Sequence, residues 1–221
     1  MRNEVKIMAV ILVVVIVGAF VGAQYYRGKV ENAPKPSTPN SSLVREDSPS
    51  MGPAEAKVTI VEFLDPECEA CAAFAPRVKG VMKDYDGRVR LVVRYLPLHP
   101  NSARAVTFIE AAGQQDKLWQ AMDLLFQKQP EWGERHGAPA GYVKPDVPAL
   151  FEGYAKELGL DLDKFDADSK DPRITAKMDR DRKDAQNVNA RQTPTLFVNG
   201  RKLSGLSESE LRSMIEEELK K

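Results

Sequence analysis

The sequence predicts an α/β domain: a βαβ unit, a helical block and a ββα unit, in that order. Three observations carry the prediction. Two β-branched apolar runs, Lys57–Leu64 (KVTIVEFL) and Arg88–Leu96 (RVRLVVRYL), flank a stretch with helical spacing. Residues 101–190 then read mainly as helices. A hairpin and a capped helix close the chain: Thr195–Val198, the turn Asn199-Gly200, Arg201–Leu203, then Glu208–Lys221.

The elements follow from their residues. Lys57–Leu64 reads as a buried strand, broken by Pro66 and the acidic residues around it. Cys71 to about Tyr85 has apolar residues at helical spacing, with Pro76 as an expected kink. Two strands joined by a helix should be parallel and right-handed. Asn101 or Ser102 can cap a helix over Ala103–Ala112. A second helix is expected from Asp116 to about Gln129, with Leu118, Trp119, Met122, Leu125 and Phe126 on its core side. Pro130, Gly133, Gly137, Pro139, Gly141, Pro145 and Pro148 predict a loop. Val147–Leu158 and Leu162–Asn187 read as helical again, the second highly charged. Asn-Gly signals a type I′ turn, and Ser207 with Glu210 forms an expected capping box. The order is that of a thioredoxin fold with a helical insertion at about 101–190.

The N-terminus is different in kind. No residue from Ile7 to Ala23 is charged, and the 20 residues from Ile7 to Tyr26 reach about 30 Å as a helix, the thickness of a bilayer core. Tyr25 and Tyr26 stand where an interfacial aromatic belt would. Residues 1–26 are therefore read as a cytoplasmic tail and transmembrane anchor. A cleaved signal peptide is the competing reading, because Val21 and Ala23 fit a small-residue cleavage pattern. Either places the rest of the chain outside the cytoplasm. Residues 27–44, with Pro34, Pro36 and Pro39 among Ser and Asn, are expected to form a non-helical tether. Residues 45–221 are the folded domain.

Composition narrows the function. Lys plus Arg is 32 and Asp plus Glu is 32, so there is no basic surplus for nucleic acid. Two cysteines and two histidines are too few for a disulfide framework or a multi-zinc module. No phosphate loop or nucleotide fingerprint is present, so no cofactor is expected.

Both cysteines lie in one segment, Asp65-Pro-Glu-Cys68-Glu-Ala-Cys71, between the first strand and its helix. Unpaired amides and the helix dipole at a helix N-terminus stabilise an anion, and can bring a thiol from about 8.5 to roughly 3.5–7.5. Cys68 is the expected attacking thiolate. Cys71, one turn further in, is the expected resolving thiol. A disulfide across so short a loop would stabilise little. Zinc would need a second ligand pair, so no metal is expected. Glu62 shares a strand face with Ile60 and Leu64, and a carboxyl there is costly unless it works or is paired. Arg94, on the next strand, is its expected partner. His99 reads as a loop or capping residue and His136 as solvated; Trp132 packs the loop or faces a groove.

Residues 47–71 (DSPSMGPAEAKVTIVEFLDPECEAC) resemble the opening of DsbA-type thiol–disulfide oxidoreductases of the thioredoxin superfamily. RLVVRYLPLHPNSARA (90–105), YAKELGLDLDKF (154–165) and TPTLFVNGRKLSG (193–205) resemble the parts that follow. The resemblance implies a cis peptide at Thr193-Pro194, beside Cys68, where substrate backbone can pair. It implies that Glu62, six residues before Cys68, accepts the proton of Cys71 through water. Strong oxidants of this family carry Pro-His between the cysteines. Here Glu69-Ala70, with Glu67 and Asp65 close by, predicts a less stabilised thiolate and a more reducing protein.

The sequence thus predicts a membrane-tethered, monomeric thiol–disulfide oxidoreductase. Its partners would be protein thiol or disulfide substrates and a membrane or soluble redox partner, with no nucleic acid. The alternatives are a thiol reductase for cytochrome maturation and a copper-binding chaperone on the same fold.

Overall fold

A computed structural model describes Gly18, residues 20–22, Gln24, residues 40–134, Gly137 and residues 141–221. The chain divides into two units, 1–36 and 37–221. The described residues of the first are helical and exposed. The expected span, the alternative cleavage site and His136 fall wholly or largely outside the described residues. Among those described, no helix is long and apolar enough to cross a membrane.

The second unit opens with a short helix, α1 (Asn40–Leu43), and a two-residue strand, β1 (Ser50–Met51). Then come β2 (Val58–Leu64), α2 (Glu69–Asp84) and β3 (Val89–Tyr95). The helices α3 (Ser102–Gly113), α4 (Leu118–Trp132), α5 (Val147–Glu157), α6 (Leu162–Asp168) and α7 (Pro172–Asn187) follow. β4 (Thr195–Val198), β5 (Arg201–Lys202) and α8 (Glu208–Leu219) complete it. The sheet order is β1-β3-β2-β4-β5. β2 and β3 are parallel, as a βαβ unit requires, and the other pairs are antiparallel.

Both faces of the sheet are covered, so the central strands are mainly apolar, with Glu62 and Arg94 as buried exceptions. Val58, Ile60, Leu64, Leu91, Val93, Leu196 and Val198 pack against α2 and the helical block. Val61, Phe63, Val92 and Phe197 pack on the other side, against Leu43, Ala185 and Val188.

Several expectations are corrected. The tether was expected to be non-helical to residue 44, but α1 forms directly after Pro39, and Leu43 is fully buried. α4 does not stop at Gln129; it carries Pro130 in its last turn and ends at Trp132. There the proline forgoes one i→i−4 bond, while Trp132 is drawn into the core, where its Nε1 donates to the Leu125 carbonyl at 3.0 Å. Leu162–Asn187 is two helices, because Pro172 ends one and opens the next with Asp171 as N-cap. Asn101 does occupy the N-cap of α3, but its side chain is used elsewhere. Ser207 caps α8 through the Glu210 N–H, and the Glu210 carboxylate also holds Ser204 and Gly205.

Arg94 does not partner Glu62. Glu62 lies opposite Val93 and Phe63 opposite Arg94, so strand alternation puts Glu62 and Arg94 on opposite faces. The fully buried guanidinium donates to Asp181 at 2.7 Å, Asp184 at 2.6 Å and the Leu43 carbonyl at 2.8 Å, and lies over the Phe63 ring. Arg45 joins Asp184 from the other side at 2.8 Å, so this network fastens the N-terminal arm to α7 and β3.

Candidate active site

β2 delivers the chain to a turn in which the Cys68 N–H donates to the Asp65 carbonyl at 3.1 Å. Pro66 cannot continue the strand, and α2 starts at Glu69 with Cys68 as its N-cap. The helix start thus aims the free amides of Ala70 and Cys71 at the Cys68 sulfur. Both cysteines are free thiols. Cys68 retains 8% exposure and Cys71 none, the asymmetry expected of an attacking and a resolving sulfur.

Electrostatics separate the two further. Cys68 is brought down to about 5, chiefly by a hydrogen bond from the Cys71 thiol, against partial burial, with help from Thr193 and the two helix amides. Burial pushes the Cys71 thiol far up; its bond to Cys68 and the charge of Glu62 add to this. Burial alone raises Glu62 to about 7. Glu62 is 4% exposed and lines a small cavity of about 40 Å³ with Leu64, Val78 and Val93. The half-exposed Lys79–Asp123 ion pair also lines it.

The Thr193-Pro194 peptide is cis. The Cys68 Sγ lies 3.4 Å from the Thr193 carbonyl oxygen, so the sequence-predicted residues Cys68, Cys71, Thr193 and Pro194 meet at one point. From Pro194 a groove of about 290 Å³ runs past Arg191, Leu196, Leu203 and Leu206.

Sequence reasoning missed the frame beneath the dithiol. Asp65, fully buried, accepts from the Glu67 N–H at 2.9 Å, the Leu98 N–H at 2.7 Å and His99 Nδ1 at 2.7 Å. Glu67, 3% exposed, accepts from the Asn101 N–H at 2.6 Å, Asn101 Nδ2 at 2.8 Å and the Glu134 N–H at 2.8 Å. These acids hold backbone amides. The only local signal for them was their position beside a turn, since, apart from the Glu67 N–H, these partners lie 33 residues or more further along the chain. Among the described residues no group of three or more His, Cys, Asp or Glu side chains is placed to hold a metal ion.

A thioredoxin-like fold with a dithiol at the β2–α2 junction and a cis-proline alongside defines the class. The chain belongs to the thioredoxin family, whose model matches residues 45–217. It is similar to a thioredoxin-like oxidoreductase from Silicibacter pomeroyi, with 27% identity and a TM-score of 0.69 over 83% of this chain and 99% of that one. Pseudomonas aeruginosa DsbA2 is 29% identical, with a TM-score of 0.58 over 76% and 91%. BdbD from Bacillus subtilis, 23% identical with a TM-score of 0.68 over 85% and 98%, shares the fold. Among curated proteins the chain is 35% identical over 154 residues to a Na(+)/H(+) antiporter NhaA of Herminiimonas arsenicoxydans, and 38% over 157 residues to NhaA 1 of Salinispora arenicola. Each match covers 70% of this chain but 22% of the relative, so the chain spans about a fifth of those proteins' length.

Proposed function

We propose that residues 45–221 form a DsbA-type thiol–disulfide oxidoreductase acting on protein substrates outside the cytoplasm. Residues 7–26 would tether it to the membrane, and it would work as a monomer. The observation that carries this reading is the meeting of an activated Cys68, a buried Cys71 and the cis Thr193-Pro194 peptide.

In oxidation of a substrate, the protein starts as the Cys68–Cys71 disulfide. A substrate thiolate attacks the Cys68 sulfur, the S–S bond breaks and Cys71 leaves with the electron pair. The Glu62 carboxyl lies close enough to influence Cys71, and returns a proton to it through water. A second substrate thiolate then attacks its own mixed-disulfide sulfur. Cys68 leaves as a thiolate, the substrate is oxidised, and the dithiol is reduced. Thr193 and Pro194 dock the substrate backbone. Reduction of a substrate is the same sequence reversed.

The Cys68 value near 5 supports the oxidising direction, because a stabilised leaving thiolate favours the reduced protein. The sequence reading expected the opposite from the acidic flank. Asp65 and Glu67, however, are taken up by backbone donors.

The test is turnover of a reduced dithiol peptide, and of insulin disulfides, with a supplied redox buffer. Cys68→Ser should abolish both. Cys71→Ser should accumulate a mixed disulfide with substrate at Cys68. Undiminished turnover by Cys68→Ser would sink the proposal.

A further inference from the structure

We infer that His99, anchored on Asp65, is a positioning residue whose imidazolium supports the Cys68 thiolate from outside the Cys-Glu-Ala-Cys segment. The inference deepens the proposed dithiol function and rests on it.

The geometry starts from Asp65. Its carbonyl accepts the Cys68 N–H at 3.1 Å, so Asp65 and Cys68 belong to one turn. Its carboxylate holds the His99 ring through Nδ1 at 2.7 Å and the preceding amide, Leu98 N–H, at 2.7 Å. The His99 N–H donates to Ser102 Oγ at 3.1 Å, which fixes the other side of the residue. The ring therefore has little freedom, and its side chain, 25% exposed, keeps contact with solvent. With Nδ1 on the carboxylate, Nε2 points away from Asp65.

The two residues between the cysteines, Glu69 and Ala70, bring no positive charge. Asp65, Cys68 and Glu67 each act on His99, and all are negative when ionised. Partial burial works against the cation, but the Asp65 bond and charge and the Cys68 charge outweigh it, so His99 titrates above its ordinary value. Coupling between two titrating groups is reciprocal: if the thiolate favours the imidazolium, the imidazolium favours the thiolate by the same factor. The buried, triply bonded Asp65 keeps the cation in place. Reactivity of Cys68 then has two regimes, one with His99 charged at lower pH and one with it neutral at higher pH.

Two measurements on the full chain test this. The first is the absorbance of the Cys68 thiolate against pH, together with iodoacetamide alkylation at a pH near 5.5. His99→Asn retains a donor for Asp65 and should raise the apparent Cys68 value, slowing alkylation about tenfold. The second is the His99 ring titration by NMR in Cys68→Ser, assigned by its loss in His99→Asn. It should move down, because the thiolate is gone. A cap without electrostatic contact would change the melting temperature of His99→Asn but neither titration. If both titrations are unmoved while Cys68→Ser still abolishes turnover, this inference falls and the dithiol chemistry stands. If Cys68→Ser keeps turnover, the dithiol chemistry itself falls.

Discussion

Glu62 is a carboxyl set into an apolar wall, and its behaviour follows from that position. Its folded value of about 7 lies above the ordinary 4.5, so between those limits the native state binds more protons than the unfolded chain. Stability then falls as pH rises through that window, and the full penalty, about 3 kcal/mol, is present above 7. Glu62→Gln removes the ionisation. Its stability in chemical denaturation should exceed that of the parent at pH 8 and match it near pH 4.5. Parallel curves would show that Glu62 does not ionise in the fold. In the reducing direction, where Cys71 attacks the mixed disulfide, the same variant should slow its resolution about a hundredfold, the usual contribution of a positioned proton acceptor. At this scale the strand–helix junction of Cys68 and Cys71 and the apolar strand face of Glu62 were legible from spacing and alternation, whereas the cis Thr193-Pro194 peptide came from family resemblance. Asp65 and Glu67 were misjudged, whereas His99 does lie in a loop at the entry to α3. Read along the chain, acids beside a cysteine look like charges facing the sulfur; only the fold supplies the amides of Leu98, Asn101 and Glu134 that occupy them.

Among the elements, the β4–β5 hairpin shows how a turn can do more than reverse the chain. Asn199 and Gly200 have φ of +44° and +82°, as a type I′ turn needs. Asn199 also accepts the Thr59 N–H at 2.8 Å and donates to the Lys57 carbonyl at 3.2 Å, locking the hairpin to the start of β2. Asn199→Ala should cost about 2 kcal/mol, part left-handed strain and part lost bonds. Asn199→Gly keeps the conformation and loses only the bonds, so it should be the milder change in urea denaturation. Equal losses would mean that backbone conformation contributes nothing. The turn was legible from two residues. The break between α6 and α7 was missed although its signal was present: Asp171-Pro172 is an N-cap followed by a proline, overridden in the reading by continuous charge periodicity. The end of α4 was misplaced for the converse reason: Pro130 forgoes one i→i−4 bond, yet the helix runs on and buries Trp132.

For the whole molecule, the N-terminal arm is part of the fold. Leu43 fills one side of the sheet core, and Arg45 and Arg94 share Asp184. A chain starting at Pro49 keeps β1 but loses both Leu43 and Arg45. It should be less stable than one starting at Asn40 by about 4 kcal/mol, the cost of emptying a buried leucine site together with part of a buried ion network. Equal thermal melts would show the arm to be dispensable. The thioredoxin plan itself was legible, because strand pairing, helix capping and hairpin chemistry are each written in short windows. The arm was not. Nothing in Asn40–Met51 is periodic, and its role comes from an arginine half a hundred residues away along the chain.

The buried pair Asp65 and Glu67 has a mechanical consequence. Both belong to the turn that carries the dithiol, yet their hydrogen bonds end on Leu98, Asn101 and Glu134, at the entry to the helical block and just past the end of α4. Opening a gap between the two halves would strip several charge-assisted bonds at once. The rim around the sulfur therefore resists being pried open along that seam.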